Sequence, residues 1–345
     1  MKKIKFPLVL QIIITTVSLA MFAVNAHAAD AHFVFVGHSP DSDTWWNTVK
    51  NGIKAANKDF NVDTPFRNPP NGDLADMARL IEQAAAENVD GVISTIANYD
   101  VLKSSLDKVR AKGILLITVN SGTVEESRKL GALMHIGQAE YVAGKAAGER
   151  AKADGIKNYL CVNHYATNVA SFERSRGFGE AIGADFKSST IDSGQDPTEV
   201  ASKVTGYLRS HPDIQSVLAL GPNSADPTIQ VLKKLGLAGK TYFATFDLSP
   251  DIVKGIKDGT VKFAIDQQPY LQGYIPVAIL AILKKQKIND VQKATELLKA
   301  DPNFQKHLAD YGLDPVYGDR DISSGPGFVT KDNVEKVEKY AGEYR

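Results

Sequence analysis

Polar side chains and both tryptophans of this sequence follow the ends of short apolar runs. If the runs are strands of parallel sheets, their carboxyl ends share an edge where small ligands bind. Amides and carboxylates match adjacent sugar hydroxyls, and an indole face covers the apolar face of a sugar ring. The polar segments that follow these apolar runs are residues 38–46, 120–121, 163–168, 221–226 and 266–267, together with Asn98 and Asp247. Asp43 or Asp247 alone also suits a helix cap, and Trp46 alone suits a core, so the binding hypothesis depends on their convergence.

Motifs for catalysis, metals or cofactors are absent from the sequence. It has no HExxH, GxSxG, CxxC or phosphate-binding loop, and its seven histidines show no metal-ligand spacing. Gly177-Phe-Gly179 lacks the third glycine of a dinucleotide-binding motif. We therefore expect a protein without a cofactor that breaks no bonds.

The elements that position these residues alternate between short apolar strands and amphipathic helices, in two successive runs. Such alternation predicts parallel sheets covered on both faces, and two runs predict two similar doubly wound α/β lobes. The predicted strands span 33–36, 62–66, 91–96, 114–119, 133–136, 159–162, 189–192, 216–220, 242–246 and 261–265. Predicted helices between them include 44–60, 99–112, 139–153, 171–184, 198–210, 226–235 and 251–257, with a buried helix at 269–285 and a polar tail from residue 287.

The N-terminus has the pattern of a secretory signal peptide. Lys2, Lys3 and Lys5 precede an apolar stretch at 8–24, and Ala26-His27-Ala28 provides a cleavage site. The alternative, a membrane anchor, needs a longer apolar stretch. We expect cleavage after residue 28 and a free periplasmic protein.

Composition excludes some functions. Without the three lysines of the signal peptide, 37 basic residues face 40 acidic ones, so no basic excess attracts nucleic acid. The single cysteine, Cys161, forms no internal disulfide, so we expect packing alone to stabilise the fold.

Four segments resemble periplasmic sugar-binding proteins of the ribose-binding type, the solute receptors of sugar ABC transporters. The resemblance covers about residues 31–285. It is carried by 43–52 (DTWWNTVKNG), 173–178 (ERSRGF), 246–251 (FDLSPD) and 267–273 (QQPYLQG).

The resemblance implies a set of ligand-binding residues. The aromatic residues that stack on the sugar ring correspond to Trp45 and Trp46, and an arginine of the family's site is replaced by Phe172, a third aromatic. The family's Asp-Arg pair is replaced by Asn120 and Ser121. The full predicted set is His38, Asp43, Trp45, Trp46, Asn120, Phe172, Asn223, Asp247 and Gln267. Because both arginines expected for ribose are absent, the sugar class is retained but ribose itself is doubtful.

The resemblance also implies an architecture and partners. The first lobe would comprise 31–136 and 267–321, and the second 137–266 and 322–345, with hinge crossings near 136–138, 266–267 and 321–324. The lobes would close around a monosaccharide, and the closed monomer would deliver it to the permease of an ABC importer. A chemoreceptor is a further candidate partner.

Three alternatives compete with a sugar receptor. A furanosyl signal of the autoinducer-2 type fits the same scaffold. An exported sugar-acting enzyme would use Asp43 and Asp247 as paired carboxylates, but no general-acid environment is recognisable. A sugar-responsive repressor needs a DNA-binding domain where this chain has its signal peptide.

Overall fold

The computed structural model describes residues 29–345, and the predicted signal peptide lies outside the described residues. The first half of the described chain alternates strands and helices around one sheet. Its elements are β1 Phe33–Val36, α1 Trp46–Phe60, β2 Phe66–Arg67, α2 Leu74–Ala86, β3 Gly91–Thr95, α3 Tyr99–Ala111, β4 Leu115–Val119, α4 Val124–Lys129 and β5 His135–Gly137.

The second half builds a second sheet before the chain returns. Its elements are α5 Glu140–Ala153, β6 Tyr159–Asn163, α6 Val169–Ile182, α7 Phe186–Ser189, β7 Thr190–Asp192, α8 Pro197–Ser210, β8 Ser216–Ala219, α9 Pro222–Lys234, β9 Tyr242–Phe246, α10 Pro250–Asp258 and β10 Phe263–Asp266. The remainder comprises α11 Pro269–Gln286, α12 Val291–Lys299, α13 Pro302–Tyr311, β11 Val316–Tyr317, β12 Asp321–Ser323, β13 Gly327–Val329, α14 Val334–Val337 and a 3₁₀ turn at Glu338–Tyr340.

Two sheets organise these elements into two lobes. The seven-stranded sheet has the order β11-β12-β5-β4-β3-β1-β2, and the six-stranded sheet has the order β13-β10-β9-β8-β6-β7. Within each sheet all neighbours are parallel except the edge pairs β11–β12 and β10–β13. Apolar clusters lie on both faces of each sheet. The prediction of two doubly wound α/β lobes is confirmed.

The chain passes between the sheets after β5, after β10 and after β12. Ile322 and Ser323, predicted to belong to the second lobe, instead pair with Ile136 and Gly137 in the first sheet. Gly137 was also predicted to belong to the second lobe. The hydrogen-bonded pairing of β5 with β12 therefore extends the first lobe by one residue at its first boundary, to Gly137, and by two residues at its last boundary, to Ser323.

The last residues of the chain return to the first lobe. The prediction places residues 322–345 in the second lobe, and the Lys257–Glu338 ion pair at 2.6 Å does join α10 to the final turn. The ring of Tyr344, however, stacks on Tyr311 with 4.2 Å between centroids. The C-terminal segment thus contacts both lobes.

Several element limits differ from the predicted ones. Helix α9 begins at Pro222 and contains Pro227, whereas the sequence pattern predicts a start at residue 226. Strand β2 has two residues where five are predicted. Helices α4, α7, α12, α13 and α14 were not predicted, because the apolar periodicity of short or polar helices is weak. The tail from residue 287 contains three of them, and Phe304 of α13 packs into the hydrophobic core of the first lobe.

Helices α1 and α11 touch through their backbones because glycines face each other at the crossing. A Cβ on Gly273 would lie 2.0 Å from the Val49 carbonyl oxygen, and one on Gly52 would lie 2.2 Å from the Tyr270 carbonyl oxygen. Neither oxygen can move without shifting its helix. The crossing fixes α1, whose first residue is Trp46, against the first sheet.

We expect Gly273→Ala to lower the free energy of unfolding by about 3 kcal/mol, because the added methyl group overpacks a rigid contact. Gly206→Ala is the matched control. Gly206 also lies within a helix, but its added Cβ meets nothing within 4 Å. The control should stabilise the protein by about 0.5–1 kcal/mol, since alanine has the higher helix propensity. Urea unfolding of both variants measures the two changes, and equal effects would contradict the crossing argument.

Candidate functional site

A cavity lies between the two lobes, at the carboxyl ends of strands from both sheets. Its empty volume is about 430 Å³, including the part open to solvent. Of the nine predicted site residues, the structure places eight around this cavity: His38, Asp43, Trp45, Trp46, Asn120, Asn223, Asp247 and Gln267.

Phe172 is the predicted site residue that does not line the cavity. Its side chain lies on α6 and is 36% exposed. The cavity is lined instead by Ala170, Ser171 and Arg174 of the same helix. At 100° per residue these three share one face, and position 172 falls on the opposite side. The structure therefore does not bring Phe172 to the cavity, and its stacking on a ligand stays a prediction.

The two tryptophans differ in exposure. Trp46 is 2% exposed, and its ring packs edge-on against His38 with 5.2 Å between centroids. It also contacts the ring of Phe66. Trp45 is partly buried and meets Trp46 edge-on. Trp46 therefore forms a fixed wall of the cavity, whereas Trp45 keeps surface available to a ligand.

Asp247 follows β9 directly and projects into the cavity from the second lobe. Its backbone has a φ of 63°, a left-handed conformation that aspartate and asparagine adopt more readily than most residues. Its Oδ2 accepts a hydrogen bond of 2.9 Å from Gln267 Nε2, at the second passage between the sheets. Its Oδ1 is buried and makes no hydrogen bond of normal geometry among residues 29–345, although the Trp45 side chain lies near enough to this carboxyl to lower its pKa.

The amides of the first lobe belong to one hydrogen-bonded chain. Asn120 Nδ2 donates to Gln272 Oε1 at 2.9 Å, and Gln272 Nε2 donates to Gln267 Oε1 at 3.1 Å. Gln272 Nε2 also reaches Ser324 Oγ at 3.0 Å, beside the third passage. Asn120 and Gln267 are thereby held in fixed orientations at the hinge side of the cavity.

Asp43 joins the lobes directly. Its Oδ1 accepts from the Trp45 backbone N–H at 3.1 Å, and its Oδ2 accepts a short hydrogen bond from the Tyr165 hydroxyl of the second lobe. Burial raises the pKa of this carboxyl, and the hydrogen bond from Tyr165 opposes the rise. Asn223, also from the second lobe, donates to Gln195 Oε1 at 3.3 Å.

Sequence reasoning named no individual role for several residues of the second lobe that line the cavity. Tyr165 and Asn168 belong to the polar segment 163–168 that follows a predicted strand, and Arg174 belongs to segment 173–178, which resembles the sugar-binding family. Both patterns therefore indicated this part of the cavity. Arg174 forms a bidentate ion pair with Glu140 at 2.6 and 2.7 Å. Its guanidinium also lies 4.4 Å from the centre of the Phe246 ring.

Electrostatically, the cavity suits a neutral ligand. Burial, with the nearby Arg174 charge, lowers the pKa of His38 to about 3 and that of His164 to about 3, so both imidazoles are neutral at pH 7. The Arg174 charge is balanced by Glu140. Burial raises the pKa of Asp247 to about 7, against the opposing charge of Arg174. What remains is a set of hydrogen-bonding groups in which the carboxyls of Asp43 and Asp247 hold the remaining charge, and burial disfavours that charge on both.

The raised pKa of Asp247 makes folding stability depend on pH. A carboxyl whose pKa is higher in the folded state adds stability below its unfolded pKa, and that stability is lost as pH rises to the folded value. We expect the free energy of unfolding of the ligand-free protein, minus that of Asp247→Asn, to fall by at most about 4 kcal/mol between pH 4 and pH 7. Urea unfolding at several pH values measures this difference. The histidines are common to both proteins and cancel, so a flat difference would contradict the assignment.

Metal clusters and membrane-spanning helices do not occur in the described chain. Residues 29–345 contain no cluster of three or more His, Cys, Asp or Glu side chains able to hold a metal ion. No helix in this part of the protein is long and apolar enough to cross a membrane.

Two α/β lobes with three passages between them, and a polar cavity at the facing strand ends, define a two-lobed solute-binding protein. Residues 33–287 match the family model described as "Periplasmic binding protein domain". The chain belongs to this family of periplasmic binding proteins.

Relatives and solved structures agree with this membership. The chain is 30% identical to a carbohydrate transporter from Acidothermus cellulolyticus solved in complex with myo-inositol, with a TM-score of 0.77 over 90% of this chain and 98% of that one. It is 25% identical to a xylose/arabinose-binding protein of Sulfolobus acidocaldarius, over 70% of this chain but only 63% of the Sulfolobus protein's length. A D-ribose/D-allose-binding protein of Pseudomonas aeruginosa is 23% identical over 72% of this chain and 81% of that protein. These relatives are named as binding and transport proteins, in agreement with the expectation that this chain is not an enzyme.

Proposed function

We propose that this protein is an exported receptor that binds a monosaccharide between its two lobes. One observation carries the proposal. The cavity presents two buried polar atoms that make no hydrogen bond of normal geometry among the described residues, the donor Trp45 Nε1 and the acceptor Asp247 Oδ1, and the Trp45 side chain lies close enough to the Asp247 carboxyl to lower its pKa. Buried polar groups are rarely left unpaired, so these atoms are suited to bond a ligand that both donates and accepts.

A sugar hydroxyl has this dual capacity, and the surrounding groups extend the match. The partly buried ring of Trp45 would cover the apolar face of the sugar, while Asp43, Asn120, Asn223, Asp247 and Gln267 would bond its hydroxyls. The sugars named for the relatives support the same ligand class: xylose, arabinose, ribose and allose.

Binding would act by closing the lobes. A ligand that touches both lobes at once stabilises the closed form over the open form, whereas a ligand that touches one lobe equally in both forms shifts nothing. Asn120 lies on the first lobe and Asp247 on the second, so the proposed ligand touches both. The closed monomer would then be recognised by the permease of an ABC sugar importer in the periplasm, with a chemoreceptor as a further candidate partner.

The test is a thermal-shift screen with D-ribose, D-xylose, arabinose, D-allose and myo-inositol, followed by calorimetric titration. A ligand present at 100 times its Kd should stabilise the protein by about 2.7 kcal/mol, visible as a raised Tm. We expect one sugar to bind with 1:1 stoichiometry and no conversion to product. Failure of all of these compounds and of a wider pentose, hexose and polyol panel would overturn the proposal.

A further inference from the structure

The side chain of Asn168 spans the cleft with every hydrogen of its amide in use. It precedes α6, and its Oδ1 accepts from the Ala170 backbone N–H at 3.0 Å, which caps the helix. The cap identifies the other amide atom as the nitrogen. Nδ2 donates to His38 Nε2 at 3.1 Å and to Ser121 Oγ at 2.9 Å.

Both acceptors belong to the first lobe, whereas Asn168 belongs to the second. His38 follows β1, and Ser121 follows β4. The bond to His38 requires an imidazole that accepts at Nε2. With Nε2 accepting, the proton of the neutral imidazole lies on Nδ1, 3.0 Å from Thr95 Oγ1, which can accept it because the Thr95 hydroxyl donates to Met77 Sδ. Ser121 is fixed in turn by donating to Asn120 Oδ1 at 3.0 Å.

These bonds can form only when the lobes are together. Next to them, the Val169 backbone N–H donates to the Ala97 carbonyl oxygen across the same gap at 3.3 Å. Since neither hydrogen of the Asn168 amide is free, Asn168 has no donor left for a ligand, even though it lines the cavity.

We propose that Asn168 is a positioning residue that stabilises the closed form through its two interlobe hydrogen bonds, and so sets affinity through the closing equilibrium and not through contact with the sugar. The effect of Asn168 on the closing equilibrium is a property of the ligand-free protein and does not depend on which ligand binds. The effect on affinity rests on the proposed sugar-binding function.

Asn168→Ser is the discriminating variant, because serine caps a helix about as well as asparagine but is too short to reach the first lobe. The population of the closed form in ligand-free protein can be measured by paramagnetic relaxation enhancement from a nitroxide on the second lobe, which detects minor populations. We expect the ratio of closed to open protein to fall about tenfold, with little change in Tm. An unchanged ratio would overturn the proposal.

Asp73→Ala is the matched control. Asp73 caps α2 by accepting from the Ala75 and Asp76 backbone N–H groups, and it lies in the first lobe. Loss of this cap should lower Tm and leave the ratio of closed to open protein unchanged. A shift of that ratio as large as that of Asn168→Ser would show that cap strength, not the interlobe bonds, controls closure.

The ligand arm uses the same five compounds as the screen. If Asn168 acts only through closure, Asn168→Ser raises the Kd of every compound that binds by the same factor, which equals the measured fall in the closed fraction and is at most about ten. A rise for one compound but not for another would mean direct contact and overturn the proposal. If none of the compounds binds, the proposed sugar-binding function fails, while the ligand-free measurement still decides the role of Asn168.

Discussion

Asp247→Asn should weaken sugar binding about 100-fold while leaving the fold intact. Asparagine keeps the size of the side chain and tolerates the left-handed backbone at this position. It removes the charge that makes this carboxylate a strong acceptor, and it offers the ligand an amide whose oxygen or nitrogen must also satisfy Gln267. Hydrogen bonds to charged groups contribute about 1.5–3 kcal/mol, which corresponds to one to two orders of magnitude in Kd.

Calorimetric titration of the best ligand from the screen measures this change. Asp251→Asn is the matched control, since Asp251 lies on the exposed first turn of α10, four residues further along the chain. Its Kd should equal that of the unchanged protein. A Kd for Asp247→Asn within twofold of the control would exclude Asp247 from the ligand contacts.

Glu140→Ala should lower the free energy of unfolding by about 3–5 kcal/mol, the usual loss when one partner of a buried ion pair is removed. Glu140 is 5% exposed and accepts from Arg174 at both carboxylate oxygens. It also accepts from Gln138 Nε2 at 2.8 Å. The variant would leave the Arg174 guanidinium buried without its counter-charge, beside the ligand cavity.

Urea unfolding measures this loss, and Glu180→Ala is the matched control. Glu180 contacts Arg176 at 3.5 Å on the surface of α6, where it is 47% exposed. Exposed pairs of this kind contribute about 0–1 kcal/mol. If the two variants lost the same stability, the buried pair would not be the stabilising element that its geometry indicates.

The sequence was sufficient to predict the two lobes because their strands are buried on both faces. Strands β1 and β8, for example, have all four residues buried, so each appears in the sequence as an apolar run between helical periods. Most of the site followed from the same pattern, since polar residues at the ends of parallel strands must meet at one edge. The positions of Asp247 and Asn120, each directly after an apolar run, predict their place at that edge.

The rest depended on geometry that a sequence does not contain. Phe172 was assigned to the cavity by its place in a motif, but α6 begins at Val169, two residues earlier than predicted, and its rotation turns Phe172 outward. Asn168 belonged to a predicted polar segment, yet its interlobe bonds depend on how the two lobes meet. The return of Tyr344 to the first lobe has no local signal, because its stacking partner Tyr311 is distant in the sequence.

Cys161 has a practical consequence. It lies in β6 with no exposed surface, and burial raises the pKa of its thiol to about 12, so the reactive thiolate is scarce and inaccessible at neutral pH. A cysteine introduced on the surface of either lobe would therefore react alone with a thiol-directed dye or spin label. Without any prior removal of native cysteine, the protein is suited to conversion into a fluorescent biosensor whose signal reports ligand-driven closure.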